Sequence, residues 1–174
     1  MGKDTLVVNL YGGPGSGKST SAAGLFYLLK RQGVEAEIVT EYAKDLVWED
    51  SAHKLEYQIY VFAKQLHRVH RLLGKVDVVV SDSPTLLSLV YGSDQTSPEF
   101  KALVKSEHNK MNTFNVFTTR VKPYNPNGRN ETEEEAKIVD EKIRAVLPAF
   151  DLEAPGDDRL PHLVFAKIME RLNG

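Results

Sequence analysis

A glycine-rich stretch between an apolar segment and a helical pattern carries the clearest chemical signal in the sequence. Residues 12–19 read Gly-Gly-Pro-Gly-Ser-Gly-Lys-Ser, which matches the phosphate-binding pattern G-x-x-x-x-G-K-[ST]. Glycines let consecutive backbone amides curl around an anion, with the positive end of the following helix behind them. The stretch therefore predicts a binding site for the phosphates of a nucleotide.

The pattern also assigns individual residues to the nucleotide. Lys18 is expected to reach the β- and γ-phosphates, and the Ser19 hydroxyl is expected to bind the Mg²⁺ that bridges them. ATP is the expected nucleotide, and the residues leave GTP open. The predicted nucleotide-binding residues are Gly13, Pro14, Gly15, Ser16, Gly17, Lys18, Ser19 and Thr20.

Two acids follow apolar, β-branched segments that are typical of strands. Glu41 ends the segment from Ala36, and Asp82 ends the segment from Val76. In a parallel sheet both acids would lie at the carboxyl edge, beside the phosphates. Asp82 has the form of a Walker B acid that supports Mg²⁺, although a strand-terminal Asp can also simply cap a helix. Ser83 follows Asp82 where many hydrolytic ATPases have a water-activating Glu, which favours transfer to a bound acceptor.

The elements that must position these residues alternate between strands and helices. The patterns predict helices over 18–32, 42–73 in two pieces broken at 49–51, 97–109, 132–146 and 160–172, with Ser51 capping the second piece. Strands are predicted at 6–11, 36–41, 76–82, 114–119 and 149–152. We therefore expect one domain over residues 1–174, an α/β three-layer sandwich with a parallel sheet of about five strands.

Positive charge is concentrated in two places. The long helix should bury Ile59 and Ala63 among other apolar residues and present a basic face that includes Arg68. This face is either an ordinary solvated surface or a contact for an anionic acceptor. Residues 120–131 contain Arg120, Lys122 and Arg129 among prolines, glycine and asparagines. They are expected to form a basic lid over the transferred phosphoryl group, a plain exposed loop being the alternative.

Composition excludes several classes of protein. The 174 residues include no cysteine, so disulfides and thiolate metal sites are absent. The net charge is −2, which gives no global sign of a polyanion-binding protein. No apolar run is long enough to span a membrane, and the first residues lead directly into a strand, so we expect a cytoplasmic protein with no membrane partner.

Four segments together resemble a known family. The glycine-rich loop, residues 40–49 (TEYAKDLVWE), residues 78–84 (VVVSDSP) and the predicted lid are similar to small phage-type P-loop kinases. These are often labelled ATPases and are related to ribosylnicotinamide kinase domains and, more distantly, to deoxynucleoside kinases. The resemblance covers roughly residues 6–140, and it implies a nucleoside-kinase-like fold with a lid, located in the host cytoplasm if the protein is phage-encoded.

The resemblance also implies roles for residues near the acceptor. Glu41 matches the acid that acts as base toward the acceptor hydroxyl, while Asp82 stays open as an alternative base and Asp45 as a weaker substitute. Gln58 matches the position of an amide that reads a nucleobase, and an exposed helical Gln is the alternative. Tyr42, Arg68 and Lys122 are further, secondary candidates for contacts with the acceptor.

The implied activity is ATP-dependent phosphoryl transfer to a hydroxyl of a nucleoside-type acceptor. Similar phage proteins are thought to phosphorylate 5-hydroxymethyl-deoxyuridine within DNA, which makes DNA a possible substrate. Deoxynucleoside kinases usually have Arg after the Walker B acid, whereas Ser83 and Pro84 stand here, so free-nucleoside specificity does not carry over. A free nucleoside, a nucleotide or ribosylnicotinamide is the rival acceptor, and a nucleotide-dependent switch or motor is the rival class. The oligomeric state is left open.

Overall fold

The fold is a parallel sheet covered by helices on both faces. The computed structural model of the chain describes residues 2–92, 96–121 and 132–174. Its strands are β1 (Leu6–Tyr11), β2 (Ala36–Val39), β3 (Val78–Ser81), β4 (Asn112–Thr119) and β5 (Leu152–Pro155). All are parallel in the order β2-β3-β1-β4-β5, which places the glycine-rich loop at the centre of one sheet edge. The expected α/β sandwich is confirmed.

Seven α-helices and one 3-10 helix are described. They are α1 (Lys18–Arg31), α2 (Tyr42–Trp48), a 3-10 helix (Ala52–Glu56), α3 (Gln58–His70), α4 (Leu87–Val90), α5 (Pro98–Asn109), α6 (Glu133–Val146) and α7 (Leu160–Asn173). In the described ranges, none of them is long and apolar enough to cross a membrane.

Side-chain alternation along β1 divides the core into two layers. Leu6, Val8 and Leu10 pack with apolar residues of α1 and α7 on one face of the sheet. Val7 and Tyr11 point to the other face, where α3, α4, α5 and α6 cover the sheet. Because β1 is buried on both faces, it reads as a continuous apolar run, as expected for a central parallel strand.

The start of α6 follows the sequence prediction closely. Thr132 accepts a hydrogen bond from the Glu135 amide, and the Glu135 carboxylate accepts one from the Thr132 amide. This reciprocal capping box satisfies two amides that no helical carbonyl reaches. The bond to the Thr132 amide also lowers the pKa of Glu135. The prediction of a helix from this box to Val146 is confirmed.

The second half of the long predicted helix begins later than expected. Instead of starting at Ser51, the chain passes through a positive φ of 53° at Asp50 and a 3-10 helix before α3 begins at Gln58. The Ser51 side chain makes no capping hydrogen bond. Consequently the buried stripe of α3 consists of Phe62, Gln65 and Val69, and the predicted burial of Ile59 and Ala63 is wrong.

The fifth strand is also displaced from its prediction. It spans Leu152–Pro155 rather than 149–152, because Phe150 packs its ring against Tyr11 and Phe117 instead of extending the sheet. The Asp151 carboxylate accepts a hydrogen bond from the Asn115 amide just before the strand begins. The shift carries the strand end to Pro155 and sets Gly156 against the glycine-rich loop.

Candidate active site

The phosphate-binding loop, residues 12–19, joins β1 to α1. Gly15 and Gly17 have φ values of 78° and 95°, a left-handed region in which residues with a Cβ are strained. The next residues form the first turn of α1, whose amides have no helical carbonyl to bind. Ser19 and Thr20 are exposed on this turn. The first turn of α1 therefore offers the amides and the positive helix end that an anionic ligand requires.

Lys18 closes the loop from within. Its Nζ donates to the carbonyl oxygens of Gly12 and Gly13, at 2.5 and 3.1 Å. Burial lowers the pKa of the Lys18 ammonium, and the nearby carboxylates of Glu41, Asp82 and Asp140 oppose this shift. Negative charge from three acids therefore favours the protonated form of Lys18.

Asp82 follows β3 and is buried, with 7% of its surface exposed. Its Oδ1 has no hydrogen-bond partner within the described residues. The unpaired buried carboxylate oxygen of Asp82 and the exposed hydroxyl of Ser19 are both hard oxygen ligands of the kind that Mg²⁺ binds, with water and phosphate oxygens as its remaining ligands. The Ser16 hydroxyl and the Thr118 hydroxyl are further buried groups that lack a partner there.

Arg120 does not stand on an exposed loop. Its side chain is only 10% exposed, its Nε donates to the Pro14 carbonyl at 3.2 Å, and its Nη2 lies 3.2 Å from Asp140 Oδ2. Asp140 Oδ1 in turn accepts a hydrogen bond from the Gly13 amide at 2.5 Å. The pair therefore connects the end of β4 and the middle of α6 to the phosphate-binding loop.

Asp140 is the site residue that sequence reasoning missed. It lies in a helix whose acids resemble an ordinary solvated face, and no local motif distinguishes it. The one available signal is the second glycine of the loop. A Cβ on Gly13 would come within 2.5 Å of the Ala136 carbonyl oxygen and 2.8 Å of Asp140 Oδ1. The glycine at this position permits the close approach of α6.

The residues expected near the acceptor lie around the start of α2. Glu41 is the residue before this helix and is half-buried. The Tyr42 amide donates to the Gln65 carboxamide, and the Tyr42 hydroxyl lies 2.7 Å from that of Tyr60, a contact that raises the pKa of Tyr42 to about 12. Asp45 forms an ion pair with Arg68, which engages two residues that were expected to contact the acceptor.

The structure gives one contact for Gln58, and it does not describe two other residues with predicted roles. The Gln58 carboxamide donates to the Leu55 carbonyl at 2.8 Å, where it caps the preceding turn. Lys122 and Arg129 lie outside the described residues, as does the predicted lid beyond position 121. Their roles stay predictions.

A pocket of about 480 Å³ adjoins the phosphate-binding loop on the side of α7. It runs from Gly15 and Gly17 along α1 to the exposed ring of Tyr27, and the β5–α7 loop at Gly156–Asp158 closes it. The Ser16 backbone and Gly156 are so close that a Cβ on Gly156 would lie 1.9 Å from the Ser16 carbonyl oxygen. The pocket is continuous with the loop, as a nucleoside attached to bound phosphates requires.

The parallel sheet, its flanking helices and the loop between β1 and α1 define this protein as an α/β domain with the fold of P-loop kinases. The chain belongs to a family described as AAA domain, whose model matches residues 7–154.

Among solved structures, the shikimate kinase of Aquifex aeolicus is similar in fold. It is 19% identical with a TM-score of 0.51, and the match covers 97% of this chain and 96% of that one. The APS kinase of Mycobacterium tuberculosis is 18% identical with a TM-score of 0.48, over 98% and 99% of the two chains. No curated protein matches the chain significantly in sequence.

Proposed function

We propose that this protein is an ATP-dependent kinase that transfers the γ-phosphoryl group to a hydroxyl of a nucleoside-type acceptor. The observation that carries the proposal is the position of Glu41 and Asp82, which follow the parallel strands β2 and β3 at the same sheet edge as the phosphate-binding loop after β1. A loop for the phosphates, an acid for the metal and a second acid for the acceptor are the parts that phosphoryl transfer needs.

The donor would lie across the loop and the adjoining pocket. The amides of the loop and of the first turn of α1 bind the phosphates, Lys18 turns from the Gly12 and Gly13 carbonyls to the β- and γ-phosphates, and the base occupies the pocket beside Tyr27. Ser19 and Asp82 would hold Mg²⁺. The bound metal would neutralise charge on the β- and γ-phosphate oxygens.

Glu41 is assigned the role of base, with Asp82 as the alternative. The acid takes the proton of the acceptor hydroxyl while the acceptor oxygen bonds to the γ-phosphorus, and the bond from phosphorus to the β–γ bridging oxygen breaks. Phosphorylated acceptor and ADP result. Arg120, held beside Pro14, and Arg129 are proposed to stabilise charge on the transferred group. Lys122 is proposed as an additional acceptor contact.

The most specific acceptor we propose is 5-hydroxymethyl-deoxyuridine within DNA, as the sequence resemblance implies. Tyr42, Arg68, Gln58 and, more weakly, Asp45 are the proposed residues on the acceptor side. A free nucleoside, a nucleotide or ribosylnicotinamide is the alternative acceptor. Membership of a family described as AAA domain favours a second class, an ATPase that acts as a switch or motor.

The test is transfer of label from γ-labelled ATP to a panel of acceptors. The panel contains 5-hydroxymethyluracil DNA, unmodified DNA, deoxynucleosides, their monophosphates and nicotinamide riboside. Label in one acceptor class supports the kinase, and release of phosphate unaffected by every acceptor supports the ATPase instead.

Variants separate the two acids in the same assay. Glu41→Gln should lower turnover at least about 100-fold with little change in ATP affinity, as expected for a missing general base. Asp82→Asn should raise the Mg²⁺ concentration needed for half-maximal turnover, and Glu49→Gln, an exposed acid, is the control. Unchanged turnover in Glu41→Gln would assign the base to Asp82.

A further inference from the structure

Large apolar side chains are exposed together on the segment from α2 to the start of α3. Trp48 is 79% exposed, Tyr57 and Ile59 are each 66% exposed, and Val47 and Tyr60 are also open to solvent. Single exposed apolar residues are ordinary, but several on one short segment indicate a surface that binds something. Three of these five side chains are aromatic, which gives the surface flat faces for stacking.

Cations lie directly beside these rings. Lys64 Nζ is 5.5 Å from the centre of the Tyr60 ring, and the Arg68 guanidinium is 5.0 Å from the centre of the Tyr42 ring. The rings of Tyr42 and Tyr60 meet edge to face with centres 5.8 Å apart, so these two rings connect Lys64 to Arg68. No acidic residue occurs between residues 58 and 76 of the sequence. The nearby Asp45 is already paired with Arg68.

A groove extends this surface toward β2. It has a volume of about 240 Å³ and is lined by Thr40 just after β2, by His67 and Arg68 on α3, and by Arg71 just after α3. Its charged side chains are all basic, so it offers a path for phosphate groups. The proposed base, Glu41, is the next residue in the chain after Thr40.

We infer that the α2–α3 surface, comprising Trp48, Tyr57, Tyr60, Lys64, Arg68 and Arg71, binds single-stranded nucleic acid. Unpaired bases stack on the exposed rings, and the backbone phosphates follow the basic groove. A duplex hides the faces of its bases from the rings, and an apolar protein partner offers no counter-charge to Lys64 and Arg71. The inference deepens the proposed function and rests on it only for the identity of the reacting hydroxyl.

The chain provides its own reporter, because Trp48 is its single tryptophan. Titration of the nucleotide-free protein with a thymidine oligonucleotide should quench Trp48 fluorescence, and a blunt duplex of the same length should quench it far less. The logarithm of the binding constant should fall with the logarithm of salt concentration with a slope of about −2, as for roughly three neutralised phosphates. A slope near zero or equal quenching by the duplex overturns the inference.

Variants distinguish binding at the α2–α3 surface from non-specific attraction of the nucleic acid to other parts of the protein. Tyr57→Ala should weaken binding about tenfold through lost stacking, whereas Leu163→Ala, an exposed apolar side chain on α7, should leave it unchanged. Lys64→Ala with Arg71→Ala should reduce the salt slope. The control, Lys101→Ala with Lys105→Ala, removes two exposed charges from α5 and should leave the salt slope unchanged. Equal effects of the test and control variants would exclude the surface.

The outcome is separable from that of the proposed kinase. Strand binding that persists in Lys18→Ala supports the surface even if no acceptor takes label. Labelling of a free nucleoside without any quenching by the oligonucleotide keeps the kinase and removes the surface.

Discussion

The Asp140 carboxylate accepts a hydrogen bond from the Gly13 amide, which is 127 residues earlier in the chain. The same carboxylate holds Arg120 against the Pro14 carbonyl. One acid on α6 thus fixes both the first turn of the phosphate-binding loop and the arginine that follows β4.

Replacing this acid should destabilise the fold. Asp140→Ala leaves the Gly13 amide and the Arg120 guanidinium without their acceptor, so we expect the free energy of unfolding to fall by about 2 kcal/mol. Urea unfolding followed by circular dichroism measures the change. Glu141→Ala, an exposed neighbour on the same helix, should stay within about 0.5 kcal/mol of the parent. Equal stability of the two variants would contradict the role of Asp140.

Loss of the Lys18 ammonium should abolish catalysis without unfolding the protein. Lys18→Ala is expected to reduce phosphoryl transfer at least about 100-fold, since a positioned charge on the transferred group is removed. Circular dichroism should show an unchanged fold, because burial already disfavours this charge and lowers its pKa. Transfer at the parental rate would remove Lys18 from the mechanism, and Lys105→Ala on α5 is the matched control.

The same shift predicts a dependence of stability on pH. The folded pKa of Lys18 lies below its ordinary value of 10.5, so above the folded pKa the unfolded chain binds the proton more readily than the folded protein. The stability of the nucleotide-free protein should therefore rise with pH from the folded pKa of Lys18 up to 10.5, the ordinary pKa of the unfolded chain. Lys18→Met should lack this rise when melting temperatures of the two proteins are compared across alkaline pH. Parallel curves would contradict the lowered pKa.

Gly156 should be essential for the nucleotide pocket. Gly156→Ala places a Cβ 1.9 Å from the Ser16 carbonyl oxygen and 2.8 Å from the Thr118 methyl group, so the β5–α7 loop must move away from the phosphate-binding loop. We expect a loss of about 1–3 kcal/mol in stability and weaker binding of ATP. Calorimetric titration measures the affinity. Gly2→Ala, whose Cβ would meet its nearest atoms at 3.5 Å, should behave as the parent does.

Acid should destabilise the protein through His108. This side chain on α5 is buried, its Nδ1 has no hydrogen-bond partner in the described part of the chain, and burial lowers its pKa below the ordinary 6.5. The unfolded chain therefore gains a proton first as pH falls through 6.5, and stability is lost by up to about 1.4 kcal/mol per pH unit. His108→Leu should flatten this loss in urea unfolding at several pH values. His53→Leu, at an exposed position, should retain it.

Sequence patterns predicted the structure correctly where it depends on residues that are close together in the chain. The apolar run of β1, the glycine-rich loop and the start of α1 are adjacent in sequence, so one motif predicted all three. The Thr132 capping box worked for the same reason. The carboxyl-edge positions of Glu41 and Asp82 followed from the rule that parallel strands end at one edge.

The remaining features depend on contacts between distant segments. Asp140 became recognisable only when α6 packed on Gly13, and Phe150 left the predicted strand to join an aromatic cluster with Tyr11. Ile59 fits a helical apolar stripe by spacing, but the 3-10 helix before Gln58 shifts the buried face. Periodicity cannot report such a shift, because it depends on where the preceding turn ends.

The sheet order separates the pocket beside the β5–α7 loop from the α2–α3 surface. The residues that line the proposed donor pocket include the loop after β5 at one border strand, and the α2–α3 surface follows β2 at the opposite border, with three strands between them. If the proposed function holds, changes in residues 42–75 would alter the choice of acceptor while the proposed donor pocket retains its geometry. Lineages that share this arrangement should therefore diverge first along α2 and α3.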